Sequence, residues 1–143
     1  MNTFSLTLTD NPEPERLKAL GDNLMDFNDA DVGSAQRRLL AIFIDDEAGA
    51  LKGGLYGQTG WGWLYVQWLW LDQDARGQGM AGQLLAKAEV EARARGCHSA
   101  HIDTFNPLAL KVYLRAGYEV FGVLEDFPQG RTRSFLKKRL MTD

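Results

Sequence analysis

At 143 residues the chain has room for one domain and little for a second. Its 45% hydrophobic and 24% charged residues are an ordinary globular composition, able to bury a single core. A formal net charge of -3 argues against nucleic acid as the main partner, and the one cysteine, Cys97, excludes an internal disulfide.

Phe4, Leu6 and Leu8 alternate with polar residues and predict a short first strand. The segment has no basic region or long apolar run, so no signal peptide is expected. No stretch approaches the ~20 apolar residues of a membrane span, and the expected setting is a reducing cytoplasm. Asn11-Pro12 breaks the alternation. Pro14 stands where a first helical turn tolerates proline, and Leu17, Leu20, Leu24 and Phe27 follow at helical spacing. Asp22, Asp26, Asp29 and Asp31 gather at or beyond the C-terminal end of this helix, the wrong end for its dipole. Val32-Gly33-Ser34 reads as a loop. Three strands then form an expected antiparallel meander, Leu39 to Ile44, Ala50 to Tyr56 and Trp61 to Leu71, with turns at Asp45-Asp46-Glu47 and Gly60. Gly53-Gly54 predicts a bulge or a close backbone approach.

The pattern changes at Gly77. From there to Arg95 the spacing predicts a helix with Met80, Leu84, Leu85 and Ala88 on one face, and Gly96 closes it. Ala100 to Phe105 is a short strand. Asn106-Pro107 opens another helix, Asn as N-cap and Pro at N1, and Gly117 ends it. Tyr118 to Leu124 and Ser134 to Leu140 are the last strands. The class is α/β, a mixed, mostly antiparallel sheet flanked by helices, with residues 1–143 read as a single domain.

The most informative segment is Arg76-Gly77-Gln78-Gly79-Met80-Ala81-Gly82, which follows a strand and opens a helix. No Ser, Thr or Asn caps that helix, so several N–H groups at its start lack partners. An anion satisfies them and is favoured by the dipole. Small residues let backbone approach phosphate, and Arg76 adds positive charge. The alternative is a plain glycine-rich turn. A second alternative is a dinucleotide fingerprint, because Gly77 to Gly82 reads G-x-G-x-x-G and Asp103 lies about twenty residues on. That would make the protein an NAD(P)-dependent oxidoreductase. Against it stand the antiparallel meander before the motif, the lack of room for a second nucleotide-binding half, and the segment Asp72 to Arg76 between strand and first glycine.

Arg76-Gly77-Gln78-Gly79-Met80-Ala81 resembles the R/Q-x-x-G-x-G/A signature of the GNAT superfamily of N-acetyltransferases. Asn106, Ala109, Tyr113, Gly117 and Tyr118 are similar to that family's N-x-x-A-x-x-x-Y-x-x-x-G-F/Y motif, in the right order and at the right separation. The resemblance runs from about Trp61 to the C-terminus. It implies a splay between the fourth and fifth predicted strands, Trp61 to Leu71 and Ala100 to Phe105, that holds the pantetheine arm of acetyl-CoA. Leu69, Trp70 and Leu71 would pair with that arm through their backbone. Backbone N–H groups from Gln78 to Gly82 would hold the pyrophosphate, with Arg76 and Gly77 beside them, and Asn106 would lie near the arm.

The implied reaction is acetyl transfer from acetyl-CoA to an amine by direct attack in a ternary complex, with no metal. It needs a neutral amine, a donor to the thioester oxyanion and a proton or hydrogen bond for the thiolate. A backbone N–H near Leu69 to Leu71 would supply the second and Tyr113 the third. The central strand offers Gln67 and no carboxylate before Asp72, so Asp103, Asp26, Asp31, Glu125 and water are the candidates for the amine's proton. The expected acceptor is a small-molecule amine, with a protein amine as the alternative, and a homodimer is the expected assembly. A non-catalytic acyl-CoA sensor is the rival from another functional class. Trp61, Trp63, Trp68 and Trp70 would line an acceptor site or a core or dimer face.

Overall fold

The computed structural model describes residues 3–141, which fall into two compact units, one through Ala35 and one from Gln36. The first is a single helix, α1 (Pro14–Val32), preceded by irregular chain. The strand expected over Phe4 to Leu8 does not form. Its alternation is real, but no strand pairs with it among the described residues, and all three apolar side chains are exposed. Pro14 opens α1 as predicted. The helix continues through Val32 to Gly33 at φ 89°, so the four aspartates lie within it rather than beyond its end. Lys18 pairs with Asp22 one turn on.

The second unit comprises β1 (Arg38–Asp45), β2 (Leu51–Gly60), β3 (Trp63–Leu71), α2 (Met80–Ala94), β4 (Ser99–Thr104), α3 (Pro107–Arg115), β5 (Glu119–Glu125) and β6 (Thr132–Arg139). The strands form one sheet in the order β1-β2-β3-β4-β6-β5. All pairings are antiparallel except β3 with β4, where α2 is the crossover. The expected meander is β1 to β3. Its second turn is Trp61-Gly62, both at positive φ (47° and 77°), rather than Gly60, which ends β2. That two-residue geometry matches the twist of the flanking strands.

Alternation along the central strands turns Leu64, Val66, Ala100, Ile102 and Leu136 to one face. There they meet Leu84, Leu85, Ala88 and Ala92 of α2 and Tyr113 of α3 in a single core. Each such leucine contributes roughly 1.5–3 kcal/mol by leaving water. Glu89 also lies on the buried side of α2, where a lone carboxylate would be costly. Lys138 Nζ at 2.7 Å and the Tyr118 hydroxyl at 3.1 Å both donate to it.

Both crossover helices end alike. Gly96 and Gly117 take positive φ, and the next residue's N–H returns to the third-last helical carbonyl, Cys97 to Ala92 and Tyr118 to Tyr113. Asn106 caps α3 as its sequence predicts, its Oδ1 accepting from the N–H of Leu108 at 2.8 Å and of Ala109 at 3.2 Å.

Candidate active site

Parallel pairing of β3 with β4 runs only from Trp63↔Ser99 to Val66↔Ile102. Beyond it β3 stays with β2 as far as Leu71↔Gly53, and β4 stays with β6 as far as Thr104↔Ser134. The two strands therefore part, and a cavity of about 1100 Å³ occupies the opening. This is the splay that the family resemblance implies.

The sheet opens where its register breaks. Gly57 faces Val66 but Tyr56 faces Trp68, so Gln67 is an extra residue in β3. A Cβ at Gly57 would lie 2.0 Å from the Tyr65 carbonyl oxygen, so the strands approach at a distance only glycine permits. Gly53 and Gly54 show the close approach expected of them, since a Cβ there would lie 2.8 Å from the Trp70 oxygen and 2.6 Å from the Ile42 oxygen. The β1–β2 register also breaks beside them, with Lys52 the extra residue, and the β2–β3 register breaks at Gln67. Beyond Val66, the side of β3 that faced β4 is free of the ladder and borders the cavity with Gln67, Trp68, Leu69, Trp70 and Leu71.

At another boundary of the cavity lies the start of α2. The helix begins at Met80, later than Gly77, because Gly77 and Gly79 take left-handed conformations (φ 75° and 74°) that a helix cannot contain. A single 3-10 turn, Gln73–Ala75, precedes them. No side chain caps α2, so its first N–H groups have no partner within the helix. Nothing lies within 4 Å of a Cβ built at Gly77, Gly79 or Gly82, which leaves room for a ligand against that backbone. Gly77, Gly79, Met80, Ala81 and Gly82 all border the cavity. Arg76 does too, its Nε donating to the Leu71 carbonyl at 3.0 Å, which ties the loop to the end of β3. Gln78 does not line it. Its side chain turns back and donates to the Asp74 carbonyl at 3.0 Å.

α3 delivers the remaining predicted residues, Asn106 and Tyr113, to the same cavity. Tyr113 is 4% exposed, its ring 6.5 Å from that of Tyr118. Burial, with a smaller contribution from the charge of Asp103, pushes its phenol up to about 12. The group is therefore a protonated donor throughout the neutral range. Asp103 alone of the four carboxylates considered for the amine's proton lines the cavity. Two residues away, His101 stacks on Tyr65 at 4.6 Å, and burial lowers its pKa against the opposing pull of Asp103.

Of the tryptophans, Trp68 and Trp70 border the cavity and are half or more exposed, and neither is core. Trp63 sits edge-on to His98 and His101, and Trp61 is in the hairpin turn. Arg133 and the Glu89–Lys138 pair also border the cavity and escaped the sequence reading. A helical carboxylate, a strand lysine and a strand arginine carry no local signature that separates them from solvated charges.

A mixed sheet opened beside its parallel pair, with an uncapped helix start and a buried tyrosine on one cleft, defines an acyltransferase. The chain belongs to the acetyltransferase (GNAT) family, whose model matches residues 4–118. It is 44% identical over 136 residues to an acetyltransferase of Agrobacterium fabrum, covering 95% of this chain and 99% of that one. It is 40% identical over 101 residues to the blasticidin-S acetyltransferase of Streptomyces morookaense, 70% of this chain and 74% of that one. A crystal structure assigned to an acetyltransferase of Agrobacterium tumefaciens superposes with a TM-score of 0.90 at 43% identity, over 95% of this chain and 99% of that one. The G-x-G-x-x-G stretch is therefore not a dinucleotide fingerprint. Acetyltransferases of this family use acetyl-CoA. Among the described residues no helix is long and apolar enough to cross a membrane.

Proposed function

We propose that the protein, with both units of residues 1–143 serving one enzyme, is an N-acetyltransferase that carries an acetyl group from acetyl-CoA directly to a small-molecule amine. The observation that carries this reading is a single cavity bordered both by the uncapped start of α2 and by the buried Tyr113. The first would hold the pyrophosphate with backbone N–H groups from Gln78 to Gly82, and the second would meet the thioester sulfur. Between them, the free side of β3 from Gln67 to Leu71 would pair with the pantetheine amides as a strand does. Asn106 spends its carbonyl oxygen on capping α3, so its part is to position that helix beside the arm.

In the reaction the amine lone pair attacks the thioester carbonyl carbon. A C–N bond forms, the C–S bond breaks, and a backbone N–H at the Gln67 bulge donates to the oxyanion. The amine's proton passes to Asp103, directly or through water. Tyr113 donates a hydrogen bond to the departing sulfur, and the released thiolate takes its proton from solvent. The high pKa of Tyr113 makes full transfer to a thiolate uphill, so its main effect is a hydrogen bond that strengthens as charge develops. The small-molecule acceptor is favoured because one relative is named for acting on blasticidin S.

The test begins with melting curves in acetyl-CoA, CoA, NAD+ and NADP+. Acetyl-CoA at ~100 times its dissociation constant should stabilise the protein by about 2.7 kcal/mol, and the nicotinamides should not. Thiol release over an amine panel then follows. Tyr113→Phe should lower kcat by roughly 100-fold while acetyl-CoA still raises the melting temperature. Unchanged kcat in that variant would remove Tyr113 from the chemistry. Acetyl-CoA binding without thiol release for any amine would make the protein a sensor.

A further inference from the structure

The proposed transfer leaves the chemistry of the acceptor open, and one pair of side chains in the cavity bears on it. Arg133 of β6 and Asp103 of β4 both line the opening. Ile102 and Leu136 point into the core with α2 and α3, so by alternation Asp103 and Arg133 point to the opposite face of the sheet. The Arg133 guanidinium lies over the ring of Phe127 at 3.8 Å and of Phe105 at 5.0 Å, which fixes its plane. Arginine has five N–H donors to satisfy. Among the described residues its hydrogen-bonding contact is one long one, Nη1 to Asp103 Oδ1 at 3.5 Å, and its Nε is buried with no partner. Such a group is held in place yet poorly satisfied, and a carboxylate is the anion its fork matches.

The other cations around the cavity are placed differently. Lys138 is committed to Glu89 at 2.7 Å and to the Ala116 carbonyl at 2.8 Å. Arg76 is tied to the Leu71 carbonyl, and Arg115 is exposed at the end of α3. Lys138 also lies near an aromatic ring, Tyr118, but its Nζ is spent on two short contacts, whereas Arg133 is held between two rings with a buried donor left over. An α-amino acid carries an ammonium and a carboxylate side by side. The Asp103–Arg133 pair presents the complementary charges, also side by side.

Resting on the transferase reading, we infer that the acceptor is an α-amino acid or a compound bearing that group, Arg133 binding its carboxylate and Asp103 its ammonium. The bound acceptor inserts into the long Asp103–Arg133 contact and completes the guanidinium's hydrogen bonds. It also places the nitrogen against Asp103, the group proposed to take its proton. The aromatic neighbours Phe105 and Phe127, with Trp68 elsewhere on the cavity wall, favour an apolar or flat side chain on the acceptor.

The experiment compares L-phenylalanine, L-methionine and L-glutamine, each with its methyl ester and its decarboxylated amine. Thiol release from acetyl-CoA gives kcat/KM, and melting of the CoA complex gives binding without turnover. At least one acid should exceed its ester and amine by about ten- to a hundredfold in kcat/KM, the range of a charge-assisted, bidentate contact. Arg133→Met should bring that ratio close to one, chiefly through KM, and Arg133→Lys should restore part of it. Stabilisation of both variants by acetyl-CoA shows that they are folded. Equal use of acids, esters and amines overturns the inference, as does a preference that survives Arg133→Met. Acids that raise the melting temperature of the CoA complex without thiol release would uphold the Arg133 site and sink the transferase reading instead.

Discussion

Gly57 shows how one residue sets the geometry of the cleft. No dihedral argument requires glycine there, since its φ is not in the left-handed range. What requires it is the Tyr65 carbonyl oxygen, 2.0 Å from where a Cβ would sit, opposite the extra residue Gln67. The obstacle is backbone on a central strand and cannot swing away as a side-chain tip would. Gly57→Ala must push β2 from β3 or reset the bulge. Overpacking of this kind costs about 1–3 kcal/mol or more, and it acts where the oxyanion donor is proposed. The expected result is a lower urea midpoint and a lower kcat with little change in acetyl-CoA affinity. Gly122→Ala in β5 is the control, because nothing lies within 4 Å of that position, and it should stay within about 0.5 kcal/mol of wild type. Wild-type kcat in Gly57→Ala would detach the bulge from the chemistry.

At the level of elements, legibility in the sequence followed chemistry that is local. α3 was readable at both ends because Asn106, Pro107 and Gly117 each do one thing there: cap, start and stop. Asn106→Ala should remove the acceptor for two N–H groups and cost about 1 kcal/mol, a fall of a few degrees in melting temperature, while Asn106→Asp should keep most of it. Equal loss in the two variants would mean that the side-chain amide matters more than the cap. The turn into α2 was readable for the same reason, through Gly77 and Gly79. The first strand failed because alternation states only that a segment suits a strand, and Phe4 to Leu8 has no strand beside it among the described residues. The bulge at Gln67 failed because it exists only in the register between two strands. Arg133 and Asp103 come together across β4 and β6, 30 residues apart in the chain, which no local spacing reports.

For the molecule as a whole, two buried tyrosines of the core tie stability to alkaline pH. Burial raises Tyr113 to about 12, and burial together with the carboxylate of Glu89 raises Tyr118 further. An unfolded chain loses phenolic protons near pH 10. Between that pH and the folded value, the native state binds more protons than the unfolded state, so stability must fall as pH rises. The contribution is complete below about pH 10 and is lost as the pH climbs through about 12. For Tyr113 alone, two pKa units correspond to roughly 2–3 kcal/mol. Urea midpoints should therefore be flat in these groups from pH 7 to 9 and decline above 10, and Tyr113→Phe should make the decline shallower. Acetyl-CoA offers a second reading of the same linkage. If the thioester sulfur meets the Tyr113 hydroxyl, the ligand should hold the phenol protonated and carry the decline to higher pH in the wild type. In Tyr113→Phe that displacement should be missing, and an equal displacement in the two proteins would place the bound sulfur away from the hydroxyl.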